Sequence, residues 1–504
     1  MTPVAPEPLW IRTGPPIPVD REHVLHPDVV VAGAGLTGLA TAAVLARAGR
    51  RVAVCEARTV GAVATGNTTA KLSLLQGSVY GEIRAHASVE ALRAYAAAQR
   101  AGADWLRAVA EHVDGALRDE PAFTFSTTDE GDAALEREAE ALEASGVDAV
   151  WGPTEQTGLP FAVSRALRME GQAALHPRRV LAALAAELRS RGGTIVEGCR
   201  VTGLEDAPDG VGVATTRGVL AAAHLVVATG SPAIDRAGFF ARLEPSRSVV
   251  GAYAVDGPLP EGMHLSVDPQ ARSLRTADDG AGGRLLLVGG GGFRTGRGDA
   301  GAMLADIDAW TAEAFPGARR VTWWAAQDYR TITRLPFAGA EPGTDGRVLT
   351  ATGYDKWGMA NGAAAALAMA GEILGERPSW VDGLRSPQVG VRDAATAVGA
   401  NARVAKEMAS GWTKALVSRD AEPPAEGEGR VETRGAHPVA VSRVDGRLCA
   451  VSGVCTHLGG ILQWNPAERS WDCPLHASRF DPEGRVLEGP ATKDLARMDD
   501  APAR

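Results

Sequence analysis

The chain of 504 residues is poor in cysteine, with five, at Cys55, Cys199, Cys449, Cys455 and Cys473. They form no framework of paired spacings, which excludes a small disulfide-stapled fold and points to a reducing, cytoplasmic setting. Positive charge is in deficit: 52 Lys and Arg stand against 61 Asp and Glu, for a net charge of −9. No basic face is implied, and nucleic acid is not an expected partner. A membrane span is also missing. The 21 residues Val29–Gly49 are mostly apolar, but spaced glycines interrupt them and no flanking charge would orient them in a bilayer. A buried strand, turn and helix fits that run better, and Gly362–Leu374 is too short to span. The segment Met1–Pro27 is Pro-rich and polar and lacks the apolar core of a signal peptide. There is no internal repeat.

With 45% hydrophobic residues, the chain can bury large cores, and its length suggests about two to four domains. Asp28–Ala32 reads as a buried parallel strand, Leu39–Ala48 as a helix and Arg51–Cys55 as the next strand. Between the first strand and the helix stands Gly33-Ala34-Gly35-Leu36-Thr37-Gly38. Gly33 makes the tight turn, Gly35 lets the backbone approach a pyrophosphate, and Gly38 lets helix and strand pack closely. Glu56 ends the second strand, 18 residues beyond Gly38, where a carboxylate can accept hydrogen bonds from a ribose. Strand, helix and acid together favour a dinucleotide site over a structural turn.

Near the other end stand Cys455-Thr456-His457 and Cys473-Pro474-Leu475-His476, fifteen residues apart. Two thiolates for one iron and two imidazoles for another are the ligands of a Rieske [2Fe–2S] cluster. The alternative is a zinc knuckle, for which C-x-H spacing is unusual. The neighbouring words Trp464-Asn465, Trp471-Asp472, Ser478-Arg479-Phe480 and Gly489-Pro490-Ala491 resemble the Rieske family along its length.

Further segments decide between dinucleotides. The loop Ala62–Lys71, the strands Leu225–Gly230 and Leu285–Gly290 and the loop-helix Thr352–Gly362 resemble the D-amino-acid-oxidase-like FAD superfamily, which includes glycine, sarcosine and glutamylputrescine oxidases. The resemblance covers residues 25–380 and implies FAD bound without a covalent tether, since Gln327 or a neighbour stands where some relatives place a tethering Cys. It implies contacts from Gly33, Gly35, Leu36, Thr37, Gly38, Glu56 and Ala57, and from Gly66, Asn67, Thr68, Thr69 and Lys71 in the loop. It adds Val201, then Ala228, Thr229 and Gly230, and finally Gly353, Lys356, Trp357, Gly358 and Met359. Gly289–Gly292 could instead be a second nucleotide loop for NAD(P)H, or a turn over the flavin; no acid closes a following βαβ unit.

The implied fold is an α/β FAD-binding Rossmann-like domain with an interleaved α+β substrate domain, followed by an all-β Rieske domain. The expected boundaries are 1–26 for an N-terminal extension, 27–383 for the oxidoreductase with a helical insertion at about 80–170, 384–417 for a connector and 418–504 for the Rieske domain. Bacterial FAD-dependent oxidoreductases with a fused Rieske domain have this layout. The implied activity is oxidation of an amine or amino acid, with the cluster relaying single electrons to a carrier such as a ferredoxin. The rivals are a reverse relay from carrier to flavin and a non-enzymatic electron-transfer or sensor protein. Arg330, Tyr329 and Lys356 are the catalytic candidates; Arg330 and Arg334 could hold a carboxylate or sit in structural ion pairs. Tyr354 is another polar candidate near the flavin, and His176 is expected to be structural. The positions that bridge the cluster loops by disulfide in many relatives correspond to Gly460 and Leu475. Ser478 is present, but Phe480 replaces a Tyr that would bond a cluster sulfur.

Overall fold

The computed structural model describes residues 6–208, 210–385, 404, 406–413, 422–435 and 437–498. Most of the connector expected at 384–417 lies outside them.

The run of apolar residues after Asp28 forms the central strand of a six-stranded sheet. Its order is Phe337–Ala340, Val348–Thr352, His224–Val227, Val29–Ala32, Val52–Cys55 and Thr194–Val196. Only Phe337–Ala340 runs antiparallel to its neighbour. Strands buried on both faces need an uninterrupted apolar run, and Val29–Ala32 and Val52–Cys55 are buried at every position. Helices Leu36–Arg47 and Gly358–Leu374 pack on one face. The first begins directly after Gly35, three residues earlier than the sequence suggests, so its free amides open at the glycine turn.

A nine-stranded sheet forms the second layer, with Arg319–Thr331, Leu243–Ala254, Arg284–Phe293 and Arg272–Asp278 adjacent in that order. Its strands Leu117–Ser126 and Val150–Trp151 fall inside the region read as helical and Arg165–Leu175 begins there, beside the helices Val89–Ala110 and Asp129–Ser145. Arg165–Leu175 is rich in Ala, Leu, Met and Glu, all helix formers. Its long antiparallel pairing with Leu117–Ser126 overrides that local preference. Gly289–Gly292 also departs from both sequence readings. These glycines continue the strand Arg284–Phe293, with Gly289 and Gly290 paired to Val249, Val250, Arg272 and Ser273, and make neither a nucleotide loop nor a turn.

The C-terminal part packs a three-stranded sheet of Gly429–Arg434, His437–Val444 and Arg447–Ser452 against a four-stranded one that runs from Gln463 to Glu488. Trp471, Phe480, Leu462 and Val451 are buried between them. Among the described residues no helix is long and apolar enough to cross a membrane.

Candidate functional site

A cavity of about 780 Å³ runs from the glycine turn to the second sheet. At its first end the backbone permits only glycine. Gly33 has φ +103°, and a Cβ on Gly38 would lie 1.9 Å from Gly33 O. Glu56 is buried here; its carboxylate accepts hydrogen bonds from Ala34 N and Arg58 N, both at 2.8 Å. Gly33, Gly35, Leu36, Thr37, Ala57, Asn67, Thr68, Thr69, Val201, Ala228, Thr229 and Gly230 line the wall. Gly38, Gly66 and Gly353 do not. They act on backbone shape: a Cβ on Gly66 would lie 2.1 Å from Gly61 O, and Gly353 turns at φ +82°.

At the far end, two consecutive left-handed residues, Asp355 at φ 44° and Lys356 at φ 71°, aim the start of helix Gly358–Leu374 at the cavity. Trp357, Gly358 and Met359 line it there, and a helix start offers unpaired amides to negative charge. Tyr354 Oη lies 3.0 Å from Thr37 Oγ1. Two titratable groups face this space, Lys71 buried and Asp328 partly buried. Lys71 Nζ donates to His264 O at 2.6 Å and Ser273 Oγ at 2.7 Å; burial, then the charge of Arg275, lowers it to about 7. Asp328 accepts from Tyr329 N at 2.8 Å and from Lys356 N, and burial raises it to about 7.

Of the catalytic candidates, Tyr329 and Lys356 line the cavity and Arg330 does not. Arg330 pairs with Glu244 at 2.8 Å and faces Glu82 at 3.8 Å, and Arg334 faces Glu82 at 3.4 Å. Neither lines the cavity, so neither is placed to hold a substrate carboxylate there, although Nε and Nη1 of Arg334 have no hydrogen-bond partner. Arg272, which no sequence pattern marked, lines the cavity instead. It donates to Asp306 at 2.7 Å and lies 5.6 Å over the Trp310 ring, and its buried Nε has no partner. Asp328 was within reach of sequence reasoning, as a lone acid inside the apolar strand Arg319–Thr331. His176 caps helix Pro177–Ser190 and packs against Trp10, away from the cavity.

The C-terminal part closes the cavity: Leu487 to Thr492 form one wall. Arg58 and Arg200 donate to the carbonyls of Leu487 and Val486. Gln327 Nε2 donates to Tyr329 Oη at 2.7 Å and to Ala477 O at 3.1 Å. Arg247, 2% exposed, reaches across to Glu468 and to Glu488 at 3.2 Å, while Arg479 binds the same two acids and Asp472.

Within that part the two ligand loops face each other. Cys455 and Cys473 are buried free thiols that share a hydrogen bond, and the His457 and His476 rings lie 5.1 Å apart at 87°. Nδ1 of each His is buried with no partner, as expected of an atom that awaits a metal. No three of the four donors come within 4.8 Å of one another. A single tetrahedral zinc needs edges of about 3.5–3.8 Å, so two separate pairs suit a two-iron cluster and not zinc. Gly460 faces Leu475, where a Cβ would come 2.7 Å from Leu475 Cδ1, in place of a bridging disulfide. Ser478 Oγ bonds the Cys455 sulfur and accepts from Ala491 N at 3.0 Å. Phe240, from the other domain, meets both imidazoles edge-on, at 5.7 and 5.4 Å.

Residues 28–372 match the FAD dependent oxidoreductase family, and residues 411–499 match the Rieske [2Fe-2S] domain. The YhfW protein of Bacillus subtilis (strain 168), named as a Rieske 2Fe-2S iron-sulfur protein, is 30% identical over 98% of both chains. The cytochrome b6-f complex iron-sulfur subunit 1 of Nostoc sp. (strain PCC 7120 / SAG 25.82 / UTEX 2576) is 50% identical over 46 residues, 9% of this chain and 26% of that one. Glycine oxidase from Geobacillus kaustophilus superposes with a TM-score of 0.59 at 21% identity, over 71% of this chain and 96% of that one. L-proline dehydrogenase from P. horikoshii gives 0.59 at 18% identity, over 71% and 97%.

Proposed function

The chain belongs to the FAD dependent oxidoreductase family and carries a Rieske domain, and from that premise we propose that it oxidises a small amine or amino acid and passes single electrons to a ferredoxin-like carrier. Bound FAD supplies hydride acceptance and one-electron release, and a bound [2Fe–2S] cluster supplies one-electron transfer. The chain's own residues supply the rest. Arg272 holds a substrate carboxylate, since its Nε is free and its charge is only partly met by the half-exposed Asp306. Lys71, lowered to about 7, is neutral in a large fraction of molecules at pH 7 and takes the proton of a substrate ammonium. The amides of Gly358 and Met359 face negative charge at the flavin end. Gln327 bonds Tyr329 and the carbonyl of Ala477, fixing the cluster loop against the cavity. Beside Gln327 the wall is Ala326, Asp328 and Tyr329, and Cys55, the one cysteine on the lining, sits at the Gly33 turn, which supports non-covalent FAD.

One observation carries the reading. Leu487 to Thr492 wall the cavity, while His457 and His476 of the same domain touch Phe240 of the other. Cluster site and cavity therefore belong to one packed unit, which suits transfer within the chain. Anaerobic mixing with a panel of amines and amino acids tests it. One of them should bleach the flavin and then give the spectrum of the reduced cluster. Bleaching by reduced ferredoxin alone would favour the reverse relay, and bleaching by neither would favour a sensor.

A further inference from the structure

The three cysteines outside the cluster look from the sequence like scattered small apolar residues, but two of them are neighbours in space. Cys55 ends the strand Val52–Cys55, and Cys199 lies in the loop between Thr194–Val196 and Val201–Glu205. Both are buried, at 2% and 0% exposure, and both are free thiols. His23 reaches them from the N-terminal arm. Its Nε2 lies 3.4 Å from Cys199 Sγ and 3.7 Å from Cys55 Sγ, and all three donor atoms fall within 4.8 Å of one another.

The spacing is informative. Bond lengths of about 2.0–2.1 Å for Zn–N and 2.3 Å for Zn–S set an N···S edge of about 3.5–3.6 Å in a tetrahedron. The two observed distances bracket that edge. Among the described residues this is the one group of three or more His, Cys, Asp and Glu donors that meets within such a radius. The donors are soft thiols and an imidazole, which select zinc over calcium or magnesium. Two thiolates and a neutral imidazole would neutralise a divalent ion inside the apolar layer of Val30, Ala32, Val196 and Val213. His23 is only partly buried, which leaves a path for the ion and for a fourth ligand. Its Nδ1 has no partner, so within the protein only the contact at Nε2 orients the ring.

We infer that His23, Cys55 and Cys199 form a zinc site that clasps the N-terminal arm to the nucleotide end of the FAD domain. The arm is otherwise pinned along the same edge by Asp20 N to Ile195 O at 2.7 Å, Val24 N to Thr194 Oγ1 at 3.0 Å and the Asp20–Arg189 ion pair at 2.9 Å. Cys55 directly precedes Glu56, and Cys199 N donates to Glu56 O at 2.8 Å. The clasp thus steadies the backbone that carries the cavity's buried carboxylate. This site is separate from the cluster and does not depend on the reaction proposed above.

Elemental analysis of the full chain, with FAD bound and the cluster fully assembled, tests the inference. Dialysis against zinc and then against a weak chelator should leave about one zinc per chain besides the cluster iron. His23→Ala, on a partly exposed arm, should lose most of that zinc and keep the FAD content and the cluster spectrum. Cys199→Ala should do the same. Zinc should also protect Cys55 and Cys199 from alkylation in the parent and not in His23→Ala. Parent protein that retains no zinc, variants that retain as much as the parent, or a Cys55–Cys199 disulfide in the isolated protein would each overturn it.

Discussion

Arg247→Met removes the buried cation that joins the two domains and leaves its shape largely in place. Arg247 and Arg479 together face Glu468, Glu488 and Asp472. In the variant three buried carboxylates share one guanidinium. The direction can be read from Glu468, which is held at about 2 against 4.5 for an ordinary glutamate; burial opposes the shift, and the charges of Arg479 and Arg247, with a hydrogen bond from Asn465, prevail. Because that shift is a net one shared by several groups, the size of the loss is taken from buried pairs in general. Direct breakage of a buried pair costs about 3–5 kcal/mol. We therefore expect a loss of roughly 3 kcal/mol, concentrated at the interface. Urea unfolding, followed separately by flavin fluorescence and by the visible circular dichroism of the cluster, should change from one shared transition to two. The linkage sign is that of a depressed carboxylate. Its stabilisation is present in full above about pH 4.5 and fades as pH falls toward 2. The variant's deficit should accordingly shrink in acid. Adding Glu468→Gln should recover part of the loss, because the uncompensated charge goes with it. An unchanged single transition at pH 7, or losses that simply add in the double variant, would refute the reasoning.

Cys455→Ser or Cys473→Ser should abolish the Rieske spectrum and keep FAD, because the two sites share no side chain; single variants that retain full iron and sulfide would overturn the ligand assignment. The cluster's midpoint should fall toward the low end of the Rieske range, about −150 to 0 mV, since Phe480 offers no hydroxyl and Gly460 faces Leu475 without a bridge; a titration near +300 mV would refute this. Lys71→Met should slow flavin reduction by about 10²–10⁴-fold. Stopped-flow measurements on the parent should show a rate that rises with pH through about 7, as the ammonium of Lys71 loses its proton, and a variant that keeps this limb would acquit Lys71. Turnover with a one-electron acceptor should greatly exceed peroxide formation, and Cys455→Ser should remove the fast acceptor reaction; equal acceptor rates would take the cluster off the electron path. That substitution is a cleaner test than deletion after Val417, because deletion also removes the wall from Leu487 to Thr492.

The sequence by itself determined what depends on near neighbours. The turn Gly33–Gly38 is legible because each glycine answers a clash only a few residues away, as between Gly38 and Gly33 O. The cluster ligands are legible because two short loops carry them in pairs, at spacings that few other sites use. Apolar runs such as Val29–Ala32 mark buried parallel strands for the same local reason. Tertiary structure decided everything that depends on segments far apart in the chain. Arg330 reads as a substrate clamp or a structural ion pair until Glu244 and Glu82 are seen beside it. Arg272 reads as one arginine among many until the fold sets its unpartnered Nε at the cavity. Lys71 and Asp328 owe their values near 7 to burial, which no local pattern reports. His23, Cys55 and Cys199 meet only because the arm lies across two strand ends. Burial and charge pairing are set by what the folded chain brings near a side chain, and sequence separation carries no record of that.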